Sequence, residues 1–474
     1  MHASETVLLA AAQVTGNVVP ARAQMAATLG FHIILACLGI ALPSIVLLAE
    51  FIGLRQGDET AMRLARRWSQ AMGVLIAVGA VTGTVLSFEM GLLWPGLMRQ
   101  YGAVLGIPFG VEGIFFFLEA IFAGIYLWGW RRLSGWAHFW SGMPIAVSGI
   151  LGAMSVIAVN AWMNTPGGFT QRGGRITSVD VWQVFFSRSA FYEMPHMILA
   201  AYMVSGFLVA GVYAAGILRG RRDRYHYSGF ALGFVPAAIL TPFQIFVGDT
   251  AARAIAHDQP VKFAAMEYVA RTSRQVPEWL GGVYVNGNIY AGIKIPYVDS
   301  LLVGFGPGTQ VTGWDSVRAV DRPPAVWLIH LTFDVMVGLG FLLLLAGLWA
   351  AWTGWRRRWP RPRLFWALGA VSGLAAVVAM ECGWVVTEVG RQPWVVYGLQ
   401  TTAQAATTNG GVLASLTIIV VVYGVLSAAT IAILLRLSRR WRRDDRDEAP
   451  LPYGLPRMAV DGPASQAESL WPTR

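Results

Sequence analysis

Several side chains interrupt otherwise apolar runs and are the first places to look for chemistry. They are His32, the pair Glu112 and Glu119 in VEGIFFFLEAIF, His196, Asp334 and Met336, and Glu381 and Glu388. A carboxylate in such a run must be protonated, paired or metal-bound, because an unpaired charge held out of water is too costly. A proton relay, a salt bridge and a ligand all remain open from this alone. Glu112 and Glu119 are seven residues apart, which puts them on one helical face about 10 Å apart along the axis. Singly, each residue has a blander reading: a lone buried histidine is often a hydrogen-bonded packing residue, and Met336 is one of 16 methionines, a residue that fills core gaps. Two histidines, a methionine and carboxylates among helices nevertheless suit haem iron, since His/Met ligation is a low-spin arrangement and helical bundles build cofactor sites from inward-facing side chains.

The composition says which elements must position these groups. Of 474 residues, 55% are hydrophobic and only 13% charged, about half the charge of a water-soluble protein of this size. That excludes a disordered chain, a coiled coil and an ordinary soluble enzyme. Apolar runs of about 20 residues or more predict nine transmembrane helices near 25–53, 70–95, 110–130, 137–162, 190–218, 229–247, 324–353, 364–388 and 411–437. The expected fold class is an all-α integral membrane protein. Arginines cluster at Arg55 to Arg67, Arg131–Arg132, Arg219 to Arg224, Arg356 to Arg363 and Arg436 to Arg443, all on one side of such a model. The positive-inside rule therefore puts the N-terminus outside (periplasmic) and the C-terminus in the cytoplasm. With that topology His32, Glu112, Glu119, His196, Met336 and Glu388 share the outer half of the bilayer, a coincidence that scattered structural residues have no reason to produce.

The remaining features divide the chain. Helices one to six occupy 1–247, an outer loop rich in Gly, Pro and charge occupies 248–323, helices seven to nine occupy 324–440, and 441–474 reads as a flexible cytoplasmic tail. The net charge of +10 is explained by the loop arginines, so no nucleic-acid partner is expected. Cys37 and Cys382 lie in apolar runs without a CxxC or CxxCH motif, which excludes a disulfide framework, a thiolate zinc site and c-type haem. The N-terminal apolar stretch has no preceding positive residue, so a cleaved signal peptide is not expected. No internal repeat of the inverted transporter kind is evident.

Five segments carry a family resemblance. GWVVTEVGRQPW, from Gly383 to Trp394, with its core Gly390, Arg391, Gln392, Pro393 and Trp394, closes the eighth helix. Met336-Val-Gly-Leu-Gly lies in the seventh, EGIFFFLEAIF in the third, and WMNTPGG spans Trp162 to Gly168. GDTAARAIAHDQPVKFAAMEYVA, with Lys262 and Glu267, begins the outer loop. The chain resembles subunit I of the cytochrome bd quinol oxidases over roughly residues 20–440, and its short outer loop resembles the compact-loop branch.

The resemblance implies an electrogenic, non-pumping quinol:oxygen oxidoreductase of the respiratory chain in the bacterial cytoplasmic (inner) membrane. It implies two haem b, one low-spin and one high-spin, and one haem d or a haem b in its place. His196 and Met336 would be axial ligands of the low-spin haem, His32 and Glu388 would serve the two high-spin haems, and Glu112 and Glu119 would line the high-spin site and its proton supply, with Trp384 between haems as a further catalytic residue. Lys262 and Glu267 would bind membrane quinol, O2 would be reduced to water, and a multi-span subunit II and a small single-span subunit would be partners. The alternatives are a proton-coupled secondary transporter using Glu112, Glu119 and Glu388, and a haem-binding relative that does not oxidise quinol. Two positions depart from the family: Asp334 stands where Arg is common, and Glu112 and Glu119 are seven apart where some relatives have eight.

Overall fold

The computed structural model describes residues 2–356 and 358–444, with side chains from residue 16 to 443. The tail expected from 441 onward lies, beyond residue 444, outside the described residues. The helices are α1 (His2–Gln56), α2 (Glu59–Leu93), α3 (Pro95–Gly129), α4 (Gly135–Asn164), α5 (Val181–Phe185), α6 (Ala190–Leu218), α7 (Arg224–Asp258), α8 (Pro260–Met266), α9 (Val298–Gly304), α10 (Val326–Gly354), α11 (Arg363–Gly390), α12 (Thr402–Ala405) and α13 (Val412–Asp444). Among the described residues nine of these, α1 to α4, α6, α7, α10, α11 and α13, are long and apolar enough to cross a membrane.

Most spans run past the apolar stretch that announces them. The third begins at Pro95 rather than near 110, and the sixth runs from Arg224 to Asp258 rather than over 229–247. An apolar run measures hydrocarbon thickness, whereas a helix continues wherever its backbone hydrogen bonds are still satisfied. The first eleven residues of the expected outer loop, 248–258, are consequently the end of α7. Prolines inside α3, α4, α6 and α7 are accommodated, as they are in membrane helices whose neighbours satisfy the freed carbonyls.

The arginine-rich connections fall together at one end of the bundle. Arg224 bonds Asp58 at 2.9 Å between the α6–α7 and α1–α2 connections, and Arg67 donates to the Trp441 carbonyl at 2.9 Å. The other end carries short two-stranded sheets: β1 (Phe169–Arg172) pairs with β2 (Arg175–Val179), and within the outer loop β3 (Ser273–Arg274), β4 (Glu278–Leu280), β5 (Val283–Val285), β6 (Asn288–Tyr290), β7 (Ile293–Ile295) and β8 (Gln310–Val311) pair as β3–β8, β4–β7 and β5–β6. Past α11, β9 (Trp394–Val396) pairs with β10 (Gln400–Thr401). The main core lies among α1, α4, α6, α7 and α11, where Phe207, Phe230, Phe234 and Phe365 are almost fully buried. By contrast α3 turns Ile114, Phe117 and Ile121 outward, as a lipid- or partner-facing helix does.

Candidate redox site and loop face

His196 sits on α6, one residue after Pro195, with its ring against α7. A Cβ on Gly248 would lie 3.4 Å from its Cε1, so that glycine gives the ring its room. Gln244 Nε2 stands 3.1 Å from His196 Nε2, while His196 Nδ1 and Gln244 Oε1 are buried without a partner. Met336, on α10, turns its sulfur toward α11, where a Cβ on Gly383 would be 3.1 Å away. Trp384 follows that glycine and packs half-buried on the main core. The helices α6, α7, α10 and α11 pack on one another, so both expected low-spin ligands belong to one four-helix group.

His32 is held differently. Its Nδ1 lies 2.8 Å from Thr82 Oγ1, and the Thr82 hydroxyl hydrogen is engaged by the Val78 and Gly79 carbonyls at 3.1 Å each. Thr82 can therefore only accept from His32, which puts the ring proton on Nδ1 and leaves the Nε2 lone pair for a ligand. Glu119 and Glu381 reach α1 at its small residues: a Cβ on Gly39 would be 3.7 Å from Glu119 Oε1, and one on Gly30 would be 3.4 Å from Glu381 Oε2. Glu381 Oε1 is buried and unpartnered, which makes Glu381 an unassigned acid of this face. Glu112 is half-buried one stretch of α3 away from Glu119.

Glu388 accepts from Arg391 Nη2 at 2.7 Å, and this places it in a polar network that the sequence did not announce. Arg391, 2% exposed, also donates through Nη1 to Asn160 Oδ1 at 2.9 Å and Asn164 Oδ1 at 3.2 Å. Those asparagines, one turn apart on α4, donate to Glu193 at 2.9 and 2.8 Å, and Gln259 donates to Asn164. The rest of the GRQPW run is structural support: Gln392 accepts from Thr402 Oγ1 at 2.7 Å, Pro393 follows a cis peptide bond, and Trp394 opens β9. Gly390 has a more direct part. A Cβ there would be 2.9 Å from Lys262 Cγ, so the lysine stem lies along the end of α11.

Lys262, in the first turn of α8, and Glu267, just past its end, are both 3% exposed, yet they face different surroundings. Burial lowers the Lys262 ammonium to about 8, against the attraction of Glu193 and with the repulsion of Arg391. Burial raises the Glu267 carboxyl well above the usual range, and Glu278 and Asp334 add to this. The departure at Asp334 has a structural reading. Its carboxylate accepts from the Gly281 N–H and lies 3.3 Å from His330 Nε2, tying the β4–β5 turn to α10. His330 has a carbonyl at each ring nitrogen, Met266 O at 2.6 Å and Gly281 O at 3.2 Å.

Buried polar groups unrelated to this arrangement also exist. Glu89 accepts from Thr28 and Gln24 at 2.6 and 2.7 Å, and Glu50 pairs with His138 at 2.7 Å near the arginine-rich end. Intramembrane position alone therefore does not mark a functional residue. Among the expected ligands and intramembrane acids, those left with an unused ring nitrogen or a buried unpartnered oxygen are His32, His196 and Glu381.

Fold and site together define a polytopic helical membrane protein with buried ligand-type side chains beneath a structured loop face. Its family is settled by comparison. The chain matches the family model for cytochrome bd terminal oxidase subunit I over residues 20–441 and belongs to that family. It is 33% identical over 439 residues to a putative cytochrome bd menaquinol oxidase subunit I of Bacillus subtilis, covering 90% of this chain and 98% of the relative. It is 25% identical to the cytochrome bd-II ubiquinol oxidase subunit 1 of Escherichia coli, over 88% of this chain and 95% of that one. Among solved structures, the bd oxidase from Geobacillus thermodenitrificans superposes with a TM-score of 0.84 at 35% identity, covering 90% of this chain and 98% of that one.

Proposed function

We propose that this chain is the haem-carrying subunit of a bacterial inner-membrane oxidase that oxidises membrane quinol and reduces O2 to water. The observation that carries the reading is the contact of Lys262 with Gly390, which sets the quinol-loop lysine against the signature closing α11. His196 and Met336 hold a low-spin haem b, and His32 and Glu388 serve two high-spin haems, one b and one d or b. The donor set fits: His196 Nδ1 and Gln244 Oε1 are orphaned, and His32 Nε2 carries its lone pair. Bound there, haem iron supplies one-electron transfer and, where a coordination position stays open, oxygen reduction.

The protein's own groups do the rest. Glu267 accepts a proton from the quinol hydroxyl, and Lys262 balances the negative charge that develops on the oxygen. Arg391 holds Glu388 in place by its 2.7 Å bond. Glu112 and Glu119 deliver protons from the cytoplasmic side, with Trp384 beside the reaction site, so turnover separates charge without a pump. The loop face is outward, as the arginine distribution requires. A multi-span second subunit covers apolar helices such as α3, with a small single-span subunit as a further partner.

A dithionite-reduced visible spectrum of the solubilised protein, joined to oxygen consumption with a reduced quinol, tests this. Haem bands together with quinol-dependent oxygen uptake are expected. A colourless protein would return the transporter reading, and coloured protein without uptake would leave a haem-binding relative.

A further inference from the structure

Behind Glu267 lies a second carboxyl that quinol oxidation, as proposed above, does not use. Asp299, in the first turn of α9, is 0% exposed, and both of its carboxylate oxygens are buried without a hydrogen-bond partner. A position with only a packing role gains nothing from a buried acid without a partner, because desolvating it is costly.

The surroundings of Asp299 are acidic and come from separate segments. Glu267, from the turn that closes α8, and Glu278, on β4, both act on it, and the two burden it further after burial has already raised it to about 10. Asp334 and His330 of α10 are the other titratable groups facing this cluster among the described residues. The cluster is held firmly. Tyr268 adopts a left-handed conformation (φ 55°) immediately after Glu267, and its ring stacks on His330 with centroids 3.7 Å apart. Ser300, next to Asp299, accepts from the Val276 N–H and donates to the Thr309 carbonyl, both at 2.9 Å, fixing the start of α9 to the segments that lead into β4 and β8. Among the described residues no three His, Cys, Asp or Glu groups are placed to hold a metal ion. Like carboxyls this close do not all ionise, so the cluster is built to keep protons.

We propose that Asp299 is a proton-relay residue of the outer loop, taking over the proton that Glu267 removes from the quinol hydroxyl while half-buried Glu278 passes one to outside water. This rests on the quinol-oxidase reading given above. For each quinol oxidised, two O–H bonds break, two electrons go to the haem iron, and two protons reach Glu267 in turn. At each arrival Glu267 passes its own proton to Asp299, Asp299 passes one to Glu278 and Glu278 releases one to outside water, so the cluster returns to its starting protonation. Asp299 touches no substrate and acts through Glu267.

The test is Asp299→Asn and Asp299→Glu in the assembled oxidase, assayed by oxygen consumption with a reduced short-chain quinol. Asp299→Asn should lower kcat at least about tenfold with KM and haem bands unchanged. Its Tm should equal or exceed that of the wild type, because a neutral amide replaces a buried acid, and Asp299→Glu should restore most of the rate. Wild-type kcat in Asp299→Asn overturns the proposal. So does an equal loss of rate in both variants with a lowered Tm, which marks a packing role, and so does a change confined to KM. Failure of the quinol-oxidase reading is seen separately, as wild-type protein that consumes no oxygen with quinol before any variant is made.

Discussion

Gly390 and Lys262, far apart in the chain, are packed so closely that a Cβ on the glycine would lie 2.9 Å from Lys262 Cγ. Because Cγ is near the root of the side chain, a clash there cannot be relieved by moving only the ammonium. Gly390→Ala should therefore displace Lys262 and weaken quinol use by about tenfold in kcat/KM, with the haem spectrum intact. Unchanged quinol kinetics in that variant would show that the contact has no part in quinol binding.

Removing the two loop groups themselves should be more severe. Lys262→Ala and Glu267→Ala are each expected to lower quinol-dependent oxygen uptake by on the order of a hundredfold, while dithionite-reduced spectra keep their bands. Loss of bands in either variant would instead assign the residue to folding of the haem region.

Lys262 also gives a pH limb. Its ammonium is lowered from 10.5 to about 8, so in the folded protein it loses its proton as pH rises through about 8. Below that pH the buried charge opposes folding. As pH rises from about 8 toward 10.5 the folded chain becomes neutral while the unfolded chain stays charged, and this group's penalty on stability is relieved. Activity runs the other way. If the charged form serves quinol, kcat/KM should fall above pH of about 8, and Lys262→Arg, which stays charged, should lose that limb. A wild-type profile flat from pH 7 to 9.5 would count against a charged lysine.

Thr82 should matter without touching any ligand. It accepts from His32 Nδ1 at 2.8 Å and so fixes the tautomer. Thr82→Val should lower occupancy of the His32 haem by roughly ten- to a hundredfold in affinity, read as a selective loss of high-spin absorption. A Thr82→Ser variant, which keeps the hydroxyl, should be near wild type.

Arg391 holds Glu388 and the Asn160–Asn164 pair at once. Arg391→Ala takes the charge partner from Glu388 and one bond from each asparagine, while Glu193 and Gln259 still hold the pair, and should cost about 1–2 kcal/mol, seen as a lower Tm and reduced high-spin haem content. Arg391→Lys should rescue little, since a point charge cannot span Glu388 and both asparagines.

Much of this was legible before any tertiary structure. Spans of 20 apolar residues are a property of the chain alone, because in lipid each segment must satisfy its own backbone, and all nine expected helices are present. His32, His196, Met336, Glu112 and Glu119 were conspicuous because ionisable or ligating groups inside such runs are costly, and GRQPW was visible as a motif. The partners of those groups were not visible. Asn160, Asn164, Gln244, Gln259 and Glu193 are ordinary polar residues in sequence, and their bonds run between helices whose packing no local pattern encodes. Asp299 gave no signal either. An aspartate in a loop rich in glycine and charge reads as solvated, and only the folding of the loop around it removes it from water. The sequence by itself determined the spans and the chemically loaded positions, since burial in lipid is written residue by residue. The tertiary structure decided which of those positions have a partner and which are left open, since hydrogen bonds between helices depend on the three-dimensional packing of segments far apart in the chain.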